Sequence, residues 1–207
     1  MPDFTHERRL GLAEGLRIVG IDEAGRGPWA GPVVAGAALL EPRRLSRRLR
    51  RELDDSKKLD AETRERLYAM LLQEAQVAIG IATVAEIDRL NILQATLLAM
   101  QRAYLALGVT AEAALVDGNR APALPCRCVT LVEGDALSLS IAAASIVAKV
   151  SRDRMMCALA ETHPGYGWER NKGYGTGEHA AALQHLGVTG EHRESFAPVR
   201  RALGLSD

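Results

Sequence analysis

The chain has 207 residues, 47% hydrophobic and 25% charged, with 26 basic side chains balanced by 26 acidic ones. That suits one domain with a substantial core, which Leu, Val, Ile and Ala must fill because aromatics make up only 4%. Zero net charge excludes a global basic field, so any nucleic-acid binding must rest on local patches, and no apolar run is long enough to span a bilayer.

Three cysteines, Cys126, Cys128 and Cys157, make an odd count without a disulfide framework or a second pair at zinc spacing. Reduced structural thiols in a cytoplasmic, membrane-free monomer are expected.

In chain order, residues 1–16 read as a loose lead-in with at most a short helical turn. Arg17 to Asp22 reads as a buried strand, carried by β-branched Ile18, Val19 and Ile21. It ends in Asp22-Glu23 and runs straight into Ala24-Gly25-Arg26-Gly27-Pro28. Neighbouring side chains of a regular strand face opposite sides, so the two acids share a target only if the chain leaves the strand there. Gly25 and Gly27 permit that bend and a close backbone approach to a ligand, and Arg26 adds a fork suited to phosphate. Taken alone, Asp-Glu is an ordinary polar strand end; the attached turn and the later acids weigh against that.

Val33 to Leu40 reads as a second strand, joined to the first by a link short enough for an antiparallel hairpin. The stretch Arg43 to Arg51 carries six arginines, but Leu45 and Leu49 at four-residue spacing favour a solvated helical face over a nucleic-acid patch. After the loop around Lys57 and Lys58, read locally as surface charges, Asp60 can cap a helix from Ala61 to Gln76. Val77 to Thr83 is a third strand, and Thr83-Val84-Ala85-Glu86 fits a capping box. A long helix from Ile92 to Leu107 closes at Gly108. Two more strands, ending in Val116-Asp117-Gly118 and Val132-Glu133-Gly134-Asp135, repeat the opening theme of an apolar run that stops at an acid beside a glycine. Ser138 to Ala160 is a helix whose Ala142-Ala143-Ala144-Ser145 run would let it lie close to a sheet, with Ile141, Val147 and Val150 inward. Glu178 to Leu186 is a short helix, and Thr189 is a candidate cap for a last piece toward Leu203.

This order gives an α/β fold, a mixed sheet with helices on its faces. A core at residues 1–162 and a smaller C-terminal helical region at 163–207 would form one continuous domain. Asp22, Glu23, Asp117 and Asp135 would meet at one rim of the sheet, where their repulsion calls for neutralisation. Two Mg²⁺ or Mn²⁺ ions suit an all-oxygen site, and a pair of ions is the usual device for attack at phosphorus.

The turn after Asp22-Glu23 combines with Asp55-Ser56-Lys57-Lys58-Leu59, Val116-Asp117-Gly118-Asn119, Gly134-Asp135, Ser140 to Val150, Arg152-Asp153 and Asn171-Lys172-Gly173-Tyr174-Gly175-Thr176. These motifs, in this order from Ile18 to about Pro198, resemble bacterial ribonuclease HII. The resemblance implies an RNase H-like sheet of five strands and a metal-dependent endonuclease. Its substrates would be RNA/DNA hybrids and duplex DNA carrying single ribonucleotides. Cutting 5′ of the ribonucleotide would leave 3′-hydroxyl and 5′-phosphate ends and begin ribonucleotide removal. It makes Asp22, Glu23, Asp117 and Asp135 the catalytic, metal-holding acids. Gly25, Arg26 and Gly27 become the loop that reads the ribose, and Tyr174 the sensor of the RNA–DNA junction. Lys57, Lys58 and Lys149 become phosphate contacts. The 2′-hydroxyl is what a protein can use to tell RNA from DNA, and backbone groups of a glycine turn can reach it.

Two departures stand out: Trp29, where the family usually has a smaller aliphatic residue, and the basic stretch before Asp54. The sister type, ribonuclease HIII, would carry an N-terminal substrate-binding domain and a lysine in the glycine loop, whereas this chain starts close to its first strand and has Arg26. A catalytically idle nucleic-acid-binding module would not be expected to keep all four acids. None of His163, His179, His185 and His192 has metal-ligand spacing. A sliding-clamp contact at the C-terminus stays open.

Overall fold

Ile18–Ala24 forms β1, the centre of a sheet, because both of its faces are apolar: Ile18, Val19 and Ile21 are all buried. In the computed structural model, which describes residues 1–205, five strands lie in the order β3-β2-β1-β4-β5. The others are β2, Val33–Leu39; β3, Gln76–Ala82; β4, Ala113–Asp117; and β5, Arg127–Leu131. The first three run antiparallel, as the short β1–β2 link requires, and β4 and β5 run parallel to β1.

Helices α1 (Thr5–Arg9), α2 (Arg47–Glu52), α3 (Ala61–Glu74), α4 (Val84–Leu90), α5 (Ile92–Ala106) and α6 (Leu139–Thr162) surround the sheet. Ala95, Ala99, Met100 and Ala103 of α5 join one core with Val19, Ile21, Val33 and Ala35. On the other face Ala143, Ala144 and Val147 of α6 join Ala38 of β2 and Leu67 and Leu71 of α3. The close approach of α6 is set by glycine in the strands below it. A Cβ on Gly20 would lie 2.1 Å from the Ser140 carbonyl carbon, and one on Gly36 2.3 Å from the Ala144 oxygen. The small-residue run of α6 thus meets gaps left in β1 and β2. Leu45 and Leu49 are buried under the arginine-rich stretch, but only Leu49 is helical: α2 starts at Arg47, and Leu45 lies in the turn before its Ser46 cap. The C-terminal region adds α7 (Trp168–Asn171), α8 (Gly177–Leu186) and α9 (Ala197–Ala202). Ser206 and Asp207, the end of the expected C-terminal region, lie outside the described residues.

The structure departs from the sequence reading in several places. β5 stops at Leu131, so Asp135 does not end a strand but sits in the turn beyond it. β1 does not stop at Asp22 but stays paired with β2 through Ala24, opposite Val34. The lead-in is docked rather than loose: Glu7 is buried and accepts from the Ser138 hydroxyl at 2.6 Å and the Ser140 amide at 2.9 Å. The capping box expected at Thr83 is present and α5 starts at Ile92 as read, but the box opens a short helix of its own, α4, and Asn91, at φ 71°, separates it from α5. Thr189 caps nothing: its hydroxyl meets His192 Nδ1 at 3.0 Å, and α9 begins at Phe196 without a side-chain cap.

Candidate active site

Pairing places the acids. β1 and β4 lie side by side up to the pair Ile21–Val116, so the next residue of each strand, Asp22 and Asp117, leaves the ladder at the same level. Carboxylate oxygens of Asp22, Glu23 and Asp117 all lie within 4.8 Å of one another. Glu23 reaches this group although its backbone is still in the strand. Beyond Ile21 the β4-facing edge of β1 is unpaired, and Glu has an extra methylene with which to reach round. Asp135 sits in the one-turn 3₁₀ helix Gly134–Ala136, whose first amide donates to Asp117 Oδ1 at 2.7 Å. That bond ties the two acid-bearing loops together. Asp135 does not belong to the tight three-acid group; it lies close enough to raise the pKa of Asp22 and is held by Lys57 Nζ at 3.4 Å.

The electrostatics match a site short of positive charge. Burial, then Glu23 and Asp117, push the Asp22 carboxyl well above its ordinary range. Burial raises Glu23 as well, partly offset by Arg26, whose guanidinium lies 3.3 Å away. Burial raises Asp135; Lys57 pulls it back, while Asp55 and Asp117 add to the rise. Hard oxygen donors that repel one another this strongly fit a divalent cation, which relieves the repulsion that burial aggravates. Asp22, Glu23 and Asp117 could hold one directly, with Asp135 beside them.

Asp22, Glu23 and Asp117 line a cavity of about 320 Å³ together with the Gly25-Arg26-Gly27 turn, Ser56, Lys57, Lys149, Arg152 and Tyr174. Larger grooves, among them two of about 570 and 610 Å³, lie elsewhere, and among the described residues none gathers a comparable cluster of acids at metal-binding distance. Of the expected lysines, Lys57 and Lys149 reach the cavity, the latter paired with Asp153 at 2.7 Å. Lys58 does not; it lies 3.7 Å from Asp54.

The glycine turn has an unusual support. Arg193, fully buried, donates to the carbonyls of Gly25 at 2.5 Å, Arg26 at 2.9 Å and Gly31 at 2.8 Å. Arg152, 1% exposed, donates to Pro32, Lys172 and Ala30 carbonyls at 2.9, 2.9 and 3.1 Å. Burial lowers Arg152 to about 10, and burial with the neighbouring Arg152 charge lowers Arg193 to about 9, so both stay protonated at neutral pH. With its carbonyls turned to Arg193, the turn leaves the Arg26 and Gly27 amides without a main-chain acceptor among the described residues. The Tyr174 ring closes over this turn, since a Cβ on Gly27 would meet it at 3.5 Å.

Below Tyr174 lies a buried polar cluster. His179 Nδ1 meets the Tyr174 carbonyl at 3.0 Å, so that nitrogen carries the proton. His179 Nε2 then accepts, from the Trp168 indole at 3.2 Å and from His192 Nε2 at 3.1 Å. Trp29 packs on Gly175, where a Cβ would lie 2.0 Å from its ring, and its ring sits 5.5 Å from that of His179.

The ribonuclease HII family model matches residues 19–199, nearly the whole chain. The chain belongs to the ribonuclease HII family. The ribonuclease HII of Rhodospirillum rubrum is 59% identical over 100% of this chain and 94% of its own. The ribonuclease HII of Archaeoglobus fulgidus, solved in complex with PCNA, superposes with a TM-score of 0.73 at 25% identity, covering 87% of this chain and 95% of that one. Bst-RNase HIII, solved with Mn²⁺, gives a TM-score of 0.74 at 20% identity over 99% of this chain and 73% of that one, a likeness of fold. The protein is therefore an endoribonuclease of the RNase H type, on the mixed five-stranded sheet that the sequence motifs imply.

Within this ribonuclease HII chain, sequence reasoning gave no role to Asp55, Ser56, Arg152, Arg193, His179 or His192. Asp55, Ser56 and Arg152 stand inside the quoted motifs and could have been picked out. Nothing local marks Arg193, whose partners lie at the far end of the sequence, and His192 is tied to Thr189 and His179 by contacts that no spacing rule announces.

Proposed function

We propose that this ribonuclease HII cuts RNA/DNA hybrids and duplex DNA at single embedded ribonucleotides, on the 5′ side, leaving 3′-hydroxyl and 5′-phosphate ends, and so begins ribonucleotide removal. The observation that carries the reading is the meeting of Asp22, Glu23 and Asp117 within 4.8 Å, in the same cavity as a glycine turn whose Arg26 and Gly27 amides have no main-chain acceptor among the described residues. Divalent ions, Mg²⁺ or Mn²⁺, would supply activation of a water and stabilisation of the leaving oxygen. The Mn²⁺ bound by Bst-RNase HIII on the same fold supports that class of ion.

The protein's own groups do the rest. Asp22, Glu23 and Asp117 at the ends of β1 and β4, with Asp135 from the turn after β5, hold the ions and fix their place. The Arg26 and Gly27 amides bind the 2′-hydroxyl, which no deoxyribose offers. Tyr174, 47% exposed, packs on the next sugar, where a deoxyribose fits and a further hydroxyl crowds. Lys57, Lys149 and Arg26 steer and hold phosphates, with Lys58 adding charge from outside the cavity. Residues 163–207, which carry Tyr174, serve as the substrate-binding region. No helix among the described residues is long and apolar enough to cross a membrane, and a monomer working in the cytoplasm fits the rest of the reading. The PCNA complex of the Archaeoglobus protein supports a clamp contact here as well.

The test uses three duplexes of one sequence: all DNA, DNA with one ribonucleotide, and RNA/DNA hybrid, each with Mg²⁺ or Mn²⁺. Nicking of the second at the 5′ side of the ribonucleotide, with the first left whole, is expected. Equal cutting of the first two would refute ribose reading, and cutting of the hybrid alone would favour hybrid-specific action like that expected of ribonuclease HIII.

A further inference from the structure

Arg152 and Arg193 are two buried cations whose hydrogen bonds all go to main-chain carbonyls, with no carboxylate within ion-pair distance among the described residues. Stability alone explains this poorly, because well-packed apolar side chains commonly stabilise a protein as well as buried charges do. What a guanidinium adds is shape: its donors form a rigid planar fork that can hold carbonyls of separate segments at fixed relative positions.

The bonds trace one path. Arg193 grips the Gly25 and Arg26 carbonyls on one side and Gly31 on the other. Arg152 takes over at Ala30 and Pro32 and reaches the Lys172 carbonyl, two residues before Tyr174. Two main-chain bonds run alongside, Trp29 amide to Gly173 carbonyl and Arg193 amide to Trp29 carbonyl, both at 2.8 Å. Gly25 belongs to the same device. It adopts φ +95°, and a Cβ there would lie 1.9 Å from Arg152 Nε, so the guanidinium occupies the space a side chain would need.

We propose that Arg152 and Arg193 are positioning residues that set the gap between the Gly25-Arg26-Gly27 turn and the Tyr174 ring, and through it the preference for a single ribonucleotide at an RNA–DNA junction. This rests on the reading above, that the turn binds the 2′-hydroxyl and Tyr174 the neighbouring deoxyribose. A junction engages turn and ring together and is sensitive to their spacing. A continuous hybrid has no deoxyribose for the ring and depends on the turn alone.

Arg193→Lys and Arg152→Lys keep the charge but lose the fork. Each is assayed for kcat and KM on the single-ribonucleotide duplex and on the hybrid, with melting temperature measured alongside. Leu67→Ala, in the α3 core away from the cavity, serves as a control for destabilisation alone. Losing part of a charge-assisted bonding set should lower kcat/KM on the single ribonucleotide ~10-fold, against less than about 3-fold on the hybrid. Leu67→Ala should leave that ratio unchanged. If one lysine variant fails to fold, the other reads the same ratio. Equal losses on both substrates, or a ratio that follows melting temperature as in Leu67→Ala, would overturn the positioning role. Wild-type protein that cut the all-DNA duplex as fast as the ribonucleotide duplex would overturn the reading of the turn, and this proposal with it.

Discussion

At the scale of single residues the four acids are not equivalent. Asp22, Glu23 and Asp117 share one small volume, whereas Asp135 stands to the side under the pull of Lys57. Asp135→Asn removes a buried carboxylate whose charged form burial already disfavours, so the fold should not suffer. Its melting temperature should match or exceed that of the wild type, while kcat drops by ~10³, the scale of losing a placed electrostatic group. Robust cutting by that variant would remove Asp135 from the catalytic set. These acids were legible from sequence because each follows or closes an apolar run beside a glycine or a turn, although Asp135 stands four residues beyond the end of β5. Their grouping was not, since it depends on β1 pairing with β4 and on the Gly134 amide reaching Asp117. The bend expected between Asp22 and Glu23 turned out unnecessary: an unpaired strand edge and one extra methylene do the same work.

At the scale of elements, the fit of α6 onto β1 and β2 is what holds the acid-bearing strand in place. Gly36→Ala would push a methyl into the Ala144 carbonyl, backbone against backbone, with no flexible side chain to yield. A destabilisation of roughly 1–3 kcal/mol or more is expected, read from the urea midpoint. The alanine run of α6 signalled this close packing, and the strand glycines completed the message.

The C-terminal loop was less legible, because its order comes from contacts between His179, His192, Trp168 and Trp29. Burial lowers His192 to about 4, below its unfolded value of roughly 6.5. The folded state therefore binds fewer protons, so this stabilising contribution is complete above about pH 6.5 and is lost as pH falls toward 4. The urea midpoint should decline between pH 7 and pH 5, and the decline should be smaller in His192→Asn, which starts from a lower value. An unchanged decline in that variant would assign the pH sensitivity to other groups.

At the scale of the whole molecule, formal charge is zero, and binding depends on where charges sit. The arginine-rich stretch before Asp54 is a solvated turn and short helix over buried leucines, while two other arginines are spent inside the protein on a backbone turn. The motifs made fold and family readable across nearly the full chain; the N-terminal docking through Glu7 and the arginine clamp were not readable, because each joins segments more than a hundred residues apart. The central claim is that the gathered carboxylates exist to hold divalent ions. Calorimetric titration of Mn²⁺ at pH 7 into wild-type protein and Asp117→Asn tests it most directly. Saturable binding by the wild type, weakened at least ~10-fold in the variant, is the expected result. Equal affinity in the two proteins, or no binding by either, would contradict it.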